Sequence, residues 1–283
     1  MSYYGLPMLK RPRWGWEIAL YFFSEGISSG SFILGTMAEL FGEGCEDGLA
    51  RQARYLSLAT LLPCPPLLIA DLGRPERFHH MMRVFKPSSP MNLGAWALTG
   101  FSQPVVLLAF ARFSGSRRIP SRALGIAGLP FAFFMMCYPG VLLSTTSIPV
   151  WARSPWLGAL LGTSSMASAA SALSLIAPHS KALDRVDRIS HAAEALAFSA
   201  YIATAGSSAD PLTKGRFRRL FVTGAFVAGI VAPAVVNVVR GKSNRKASAL
   251  SAALSLAGAL ALKWAVVHAG RDSADDPANA LRA

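Results

Sequence analysis

Charge is what this sequence has least of. Only 15% of its 283 residues are Asp, Glu, Lys or Arg, against about a quarter in a soluble domain. Hydrophobic residues make up 52% and mean hydropathy is +0.38, which excludes an ordinary soluble domain. Acids are scarcer still, 15 against 28 basic residues. The net charge of +13 does not point to nucleic acid. The basic residues sit in short clusters between apolar runs: Lys10/Arg11/Arg13, Arg117/Arg118/Arg122, Lys214/Arg216/Arg218/Arg219 and Arg240/Lys242/Arg245/Lys246. Bilayer topology and lipid headgroups place them there. The three cysteines, Cys45, Cys64 and Cys137, form no C-x-x-C, so no iron–sulfur cluster, zinc or other metal site is expected in the chain. Histidine pairs are missing too. His191 opens the sixth apolar run and His268 closes the eighth, at opposite faces; His79 and His80 share a loop, and His179 lies between runs. No haem is expected. Runs such as Phe221–Val239 do not alternate, which excludes a β-barrel. The N-terminus lacks a short apolar region with a small-x-small cleavage site, so no cleavable signal peptide is expected.

What is present is apolar helix. Eight runs reach the roughly 20 residues needed to cross a bilayer: about 16–42, 54–72, 91–113, 123–146, 156–177, 189–209, 217–239 and 248–270. The fold class is therefore an all-α integral membrane protein of eight spans, with both termini on one side. Lys and Arg divide almost evenly between the sides. Setting aside the Arg74–Lys86 cluster leaves a small excess opposite the termini, which places the termini and that cluster in the periplasm. Trp14, Trp16, Trp151 and Trp156 flank spans as interface anchors. Gly26-x-x-x-Gly30 and Ser31-x-x-x-Gly35 predict close helix packing. Pro63, Pro65 and Pro66 predict a broken second span, the break facing another helix.

One loop stands out. LLIADLGRPERFHHMMRVFKPSSPM, Leu67 to Met91, packs acids, arginines, histidines and a lysine between two spans. Gly73 is expected to cap the second span. Pro75 and Glu76 suit the first turn of a new helix. Phe78, Met81, Met82 and Phe85 then form a helical apolar stripe, with Arg77, His80 and Arg83 opposite. The pattern predicts a short amphipathic interfacial helix between spans two and three, ended by Lys86-Pro87, before Ser89-Pro90 starts the third span.

Ionisable residues at membrane depth are functional candidates. They are Glu25, Asp71, Glu194 and Lys263. Tyr21, Glu25, Ser28 and Phe32 share one helix face, and a carboxyl one turn from a phenol can hold a quinone oxygen and move its proton. Asp71 is expected to pair with Arg74. Glu194 and Lys263 start from the same side, either as structural glue or as a step in a proton path.

The loop residues Asp71-Leu72-Gly73-Arg74-Pro75-Glu76-Arg77-Phe78, followed by Lys86-Pro87-x-Ser89-Pro90-Met91, resemble the signature of the NrfD-like, polysulfide reductase membrane subunit family. The resemblance extends over most of the chain. It takes in Tyr3-Tyr4-Gly5, Trp14-x-Trp16, Tyr21-Phe22-Phe23 and Gly26, then Tyr138-x-Gly140-Val141-Leu142-Leu143-Ser144 with Pro149-x-Trp151. It ends on Ala269-Gly270-Arg271-x-Ser273 with Asp276-Pro277. The resemblance implies two four-helix bundles, residues 1–150 holding the quinone site and motif loop, and residues 151–283 with a polar tail. It implies a menaquinone or ubiquinone site near Tyr138 and Tyr21, where some members carry histidine at position 21. Ile18 also departs from a polar residue of some members, and Glu25 is read as supplying the lost polar function. Catalytic candidates are Glu25, Tyr138 and Asp71; Tyr21, Arg74 and His79 join Glu25 and Tyr138 as quinone ligands. Arg77, His80, Arg83 and Lys86 are candidates for the partner surface, and Glu194 and Lys263 for a proton path. The implied partners are a four-cluster ferredoxin-like iron–sulfur subunit and a catalytic subunit, a molybdopterin enzyme or multihaem cytochrome. The implied location is the bacterial inner membrane. The rival readings are a structural anchor without a working quinone site and a secondary transporter or proton channel; matched broken helices in both halves, expected of transporters, are not evident.

Overall fold

The structure, a computed structural model, describes residues 9–42, 47–115, 120–177, 180–240 and 245–275. Tyr3, Tyr4, Gly5, Cys45, Arg117, Arg118, His179, Lys242, Asp276 and Pro277 lie outside these residues, as do the side chains of Arg77, Arg240 and Arg245.

Every regular element among the described residues is helical. They run α1 (Trp16–Phe41), α2 (Asp47–Leu61), α3 (Cys64–Asp71), a 3₁₀ helix (Pro75–Met82), α4 (Pro90–Ser114), α5 (Ser121–Ser144) and α6 (Pro149–Ala152). There follow α7 (Leu157–Ile176), α8 (Lys181–Ala205), a 3₁₀ turn (Gly206–Ala209), α9 (Asp210–Thr213), a π-helical stretch (Arg219–Val231), α10 (Ala232–Arg240) and α11 (Arg245–Asp275). Seven helical stretches among the described residues are long and apolar enough to cross a membrane, counting α2 with α3 and the π-helical stretch with the start of α10. The eighth expected span, 189–209, is helical to Ala205, but its helix begins at Lys181. Asp184, Arg185, Asp187, Arg188 and Glu194 make α8 too polar to qualify as a span by composition.

Helix α1 is central. It packs on α2, α3, α5, α7 and α11, and small residues let it approach. A Cβ on Gly26 would meet Ser165 Oγ at 2.3 Å, and one on Gly30 would meet the Ala169 Cβ at 2.6 Å. The small-residue motif thus seats α1 directly on α7.

The second span is broken as its prolines require. α2 ends at Leu61 and α3 begins at Cys64. The Cys64 thiol donates to the Thr60 carbonyl at 3.3 Å, a link across the break. The expected direction of the break needs correcting. Leu62, Pro65 and Pro66 are exposed and only Cys64 turns inward, so the prolines point away from the neighbouring helices.

The motif loop also differs in detail. Gly73 is not the cap: α3 ends on Leu72 in an extended conformation, and left-handed backbone occurs, among the described residues, only at Gly115 and Gly206. Pro75 does open a new helix, but it is 3₁₀ and stops at Met82. With three residues per turn, Phe78 and Phe85 stay exposed, while Met82 Sδ accepts from Thr99 of α4 at 3.8 Å. Ser89 caps α4 as expected, accepting from Asn92 N. Asn92 carries no signal in the sequence. Its amide donates to the Met81 and Val84 carbonyls at 2.8 and 3.0 Å, and its oxygen accepts from Lys86 N at 2.7 Å, so one side chain clamps the loop to α4.

At the opposite end of α1 lies an ion cluster that the apolar runs do not reveal. Glu39 accepts from Arg54 Nη2 at 3.0 Å and from Arg112 Nη2 at 2.6 Å, tying α1, α2 and α4 together. Arg54 is 1% exposed, donates to the Phe32 carbonyl at 3.3 Å and lies over the Phe32 ring at 4.7 Å. Removing one partner from a buried pair leaves the other charge unpaired, at about 3–5 kcal/mol. Glu39→Gln is therefore expected to lower thermal stability in detergent by about that amount. Arg112→Gln, at the 30% exposed partner, should cost less than half as much.

Candidate functional site

Two groups of residues converge inside the helices. The first surrounds Tyr21, Glu25 and Tyr138, from α1 and α5. Tyr21 and Glu25 are sealed from solvent and Tyr138 nearly so. Glu25 interacts electrostatically with both phenols and with the Cys64 thiol. Tyr138 Oη donates to the Pro90 carbonyl at 3.1 Å, at the start of α4. A Cβ on Gly94 would lie 2.1 Å from that phenol oxygen, so glycine at this position makes room for the ring. Both Glu25 carboxylate oxygens are buried without a hydrogen-bond partner among the described residues. The Ser29 hydroxyl, one turn on, donates to the Gly26 carbonyl at 3.2 Å and also stands near enough to act on the Glu25 carboxyl, as does Lys263. No other helix supplies a hydrogen bond to it among the described residues, and a buried carboxyl so thinly partnered is costly.

The second group continues from Glu25 across the molecule. Lys263 of α11, fully buried, interacts electrostatically with Glu25 and Glu194. Its Nζ donates to Ser164 Oγ of α7 at 3.3 Å, and Ser164 in turn hydrogen-bonds Glu194 of α8. The expected Glu194–Lys263 pair thus exists through a serine rather than as a direct ion pair. One turn before Glu194, His191 contacts the Asp187 carboxylate at 3.3 Å and Ser255 Oγ at 2.8 Å. Ser171 joins Ser255 at 2.9 Å and Asp187 at 3.3 Å. A line of polar groups therefore runs from Glu25 to His191, and His191 lines a surface cleft. The sequence signal for its outer half was Asp187 and His191 at i, i+4 on one helix face, beside the serines of α7.

The other expected site residues lie apart from Glu25. Asp71 is half-buried and accepts from the Gly15 backbone N–H, with Glu17 and Arg271 nearby. It forms no ion pair with Arg74, contrary to expectation, because α3 ends at Asp71 and the chain leaves extended. Arg74, His79, His80, Arg83 and Lys86 are exposed on the loop, with the two imidazoles 4.4 Å apart. They flank the buried group without joining it.

The sequence motifs themselves meet at this end of the molecule. Trp14 stacks on Trp151 at 5.4 Å, and Trp151 Nε1 donates to the Val266 carbonyl at 2.8 Å. Trp151 is fully buried, so it is a core residue and not the interface anchor expected, whereas Trp16 and Trp156 are about half exposed. Gly270 lies against the Trp151 ring, where a Cβ would come within 1.9 Å. Arg271 Nη2 donates to the Arg13 and Trp14 carbonyls at 2.9 and 2.7 Å, and Ser273 accepts from Val150 N at 3.4 Å. Beside this knot a cleft of 690 Å³ is lined by Lys10, Arg13, Trp14, Met91, Ile148 and Trp151 among others. Tyr138 bonds Pro90, the residue next to Met91 of this cleft.

Seven helical stretches of this length and composition among the described residues define a multi-pass membrane protein. Comparison with known proteins makes the class particular. The profile of a family described as polysulfide reductase matches residues 1–275, and the chain belongs to that family. One component of the polysulfide reductase of Wolinella succinogenes is 27% identical, over 91% of this chain and 94% of that protein. A component of the selenate reductase of Mesobacillus selenatarsenatis is 33% identical, and a putative dimethyl sulfoxide reductase membrane subunit of Halobacterium salinarum is 31% identical. Each of these two matches spans 28% of this chain and 18% of the relative. Among the described residues no three His, Cys, Asp or Glu side chains converge as metal ligands.

Proposed function

We propose that the chain is the quinone-reactive membrane subunit of a respiratory reductase complex, with α8 completing eight spans. The observation that carries this reading is the Glu25 carboxyl, buried beside Tyr21 and Tyr138 with no hydrogen bond from another helix among the described residues. A quinol hydroxyl is the kind of partner that such a carboxyl lacks. The residues fit a quinone headgroup: the Tyr138 phenol, whose oxygen can accept a hydrogen bond while its proton is held by Pro90, a proton acceptor at Glu25, and a cleft with aromatic walls at Trp14 and Trp151. When bound, the quinone supplies two-electron, two-proton chemistry.

The chain's own part is to place and move protons. Tyr138 orients an oxygen at the mouth of the site, and Glu25 accepts a proton, because general acid–base groups must lie within hydrogen-bond reach. Lys263 stabilises the carboxylate form of Glu25, while Ser164, Glu194 and His191 offer a path away from it. Asp71, Arg74 and His79 form the outer edge of the site, and Asp71 ties the loop to the N-terminal segment. Electrons leave to an iron–sulfur partner, itself joined to a catalytic subunit, because this chain carries no expected electron store. The partner would dock on the loop, through Arg77 and the exposed His80, Arg83 and Lys86, with the loop and both termini in the periplasm of the inner membrane. The two-bundle division, residues 1–150 and 151–283, belongs to the same proposal.

Two experiments test it. Titrating the purified complex with a quinone analogue should inhibit turnover in proportion to site occupancy; no response would leave a structural anchor. Reversing charge with Arg83→Glu and Lys86→Glu is expected to weaken partner capture about tenfold or more, since rim charges steer association. A pull-down equal to the wild type would remove the loop from the docking surface.

A further inference from the structure

The polar half of α8 does not face the core alone. Lys181, Arg185 and Arg188 are exposed and border a cleft of 850 Å³ between α8 and the stretch from Ile230 to Val235. The three cations make no ion pair among the described residues; of the acids beside them, Asp187 holds His191 and Asp184 is not without a partner. Along α8 the lining changes from Lys181, Arg185 and Arg188 to Ala192 and Ala195, and the facing wall is Ile230, Val231, Ala234 and Val235. Val231 and Val235 are 40% and 52% exposed, so the apolar wall opens outward onto the lipid side. The cleft is therefore cationic at the end of a spanning bundle and apolar toward its middle.

That gradient has the profile of a phospholipid. Arginine guanidiniums bind phosphate in a fixed fork, and their stems can lie along apolar surface while the heads reach the headgroup layer. Basic pockets between spanning helices bind acidic headgroups, with acyl chains continuing over the apolar wall. We propose that this cleft is a binding site for an acidic phospholipid. The phosphate sits between Arg185 and Arg188, with Lys181 above, and the acyl chains run over Val231 and Val235. The lipid would cover His191, the outer end of the polar line from Glu25.

The test uses the full chain purified in detergent, with lipid retention read by native mass spectrometry. Phosphatidylglycerol should be retained and phosphatidylcholine lost, and glycerol 3-phosphate, the headgroup without chains, should not displace the lipid. Arg185→Gln with Arg188→Gln should weaken phosphatidylglycerol retention about thirtyfold, from the loss of two surface cations. The same charge loss at Arg218→Gln with Arg219→Gln, outside the cleft, should leave it within about twofold. Ala234→Trp, which fills the apolar wall and keeps every charge, should also reduce retention, and it decides the matter if the arginine variant does not fold. Equal retention of phosphatidylcholine, equal loss in the Arg218/Arg219 control, or displacement by glycerol 3-phosphate would each overturn the site.

Discussion

Replacing Glu25 by glutamine is expected to cut quinol oxidation by the assembled complex about a hundredfold or more, the usual range for losing a positioned acid or base. Glutamine keeps the shape of the side chain and can still hydrogen-bond, but it cannot take a proton. The complex should assemble normally, because no other helix hydrogen-bonds either Glu25 oxygen among the described residues. Tyr138→Phe should act differently. It removes the donor that holds the Pro90 carbonyl at 3.1 Å, so it should raise the quinol concentration needed for half-maximal turnover as well as slow it. Stopped-flow reduction of the partner's clusters by quinol separates the two. Unchanged turnover in both variants would end the quinone assignment.

The second large effect is expected at Trp151. Trp151→Ala should destabilise the protein by about 3–5 kcal/mol, the range for emptying a large buried aromatic site. It removes the ring on which Trp14 stacks, the hydrogen bond to Val266 and the surface against which Gly270 closes. Trp156→Ala, at a half-exposed ring, should stay within about 1 kcal/mol. Thermal unfolding of the two variants in the same detergent compares them directly. Equal losses would mean that Trp151 is an interface anchor after all.

Much of this was legible from spacing. Apolar runs located the helices, because a bilayer sets their length and leaves little choice of structure. Gly26 and Gly30 announced a close helix contact, though not that α7 makes it, and Pro63 announced the break after Leu61. Glu25 and Tyr21 were legible as one helix face. Contacts between distant segments were not. Nothing local at Glu39 and Arg54 reveals that they meet, since they lie fifteen positions apart on different helices, and Arg112 comes from a third. The serines of α7 look like small packing residues until Lys263 and His191 are seen against them. The 3₁₀ form of the motif loop was hidden because its apolar spacing also suits an α-helix, and only Asn92 from the next span decides where the loop is held. Trp151 was misread for a related reason: position near a span end does not say whether a ring faces lipid or the last helix.

The clasp formed by Arg271 has a consequence for biogenesis. Its guanidinium holds the carbonyls of Arg13 and Trp14, joining the chain's last helix to the segment that precedes its first. During synthesis the N-terminal segment emerges hundreds of residues before Arg271 does. The end of the molecule that carries Trp14, Asp71 and the motif loop is therefore finished only when α11 has been inserted. A ribosome stalled short of α11 leaves a chain with every residue of the loop but no finished platform beneath it. Until then the carbonyls of Arg13 and Trp14 lack the guanidinium that holds them.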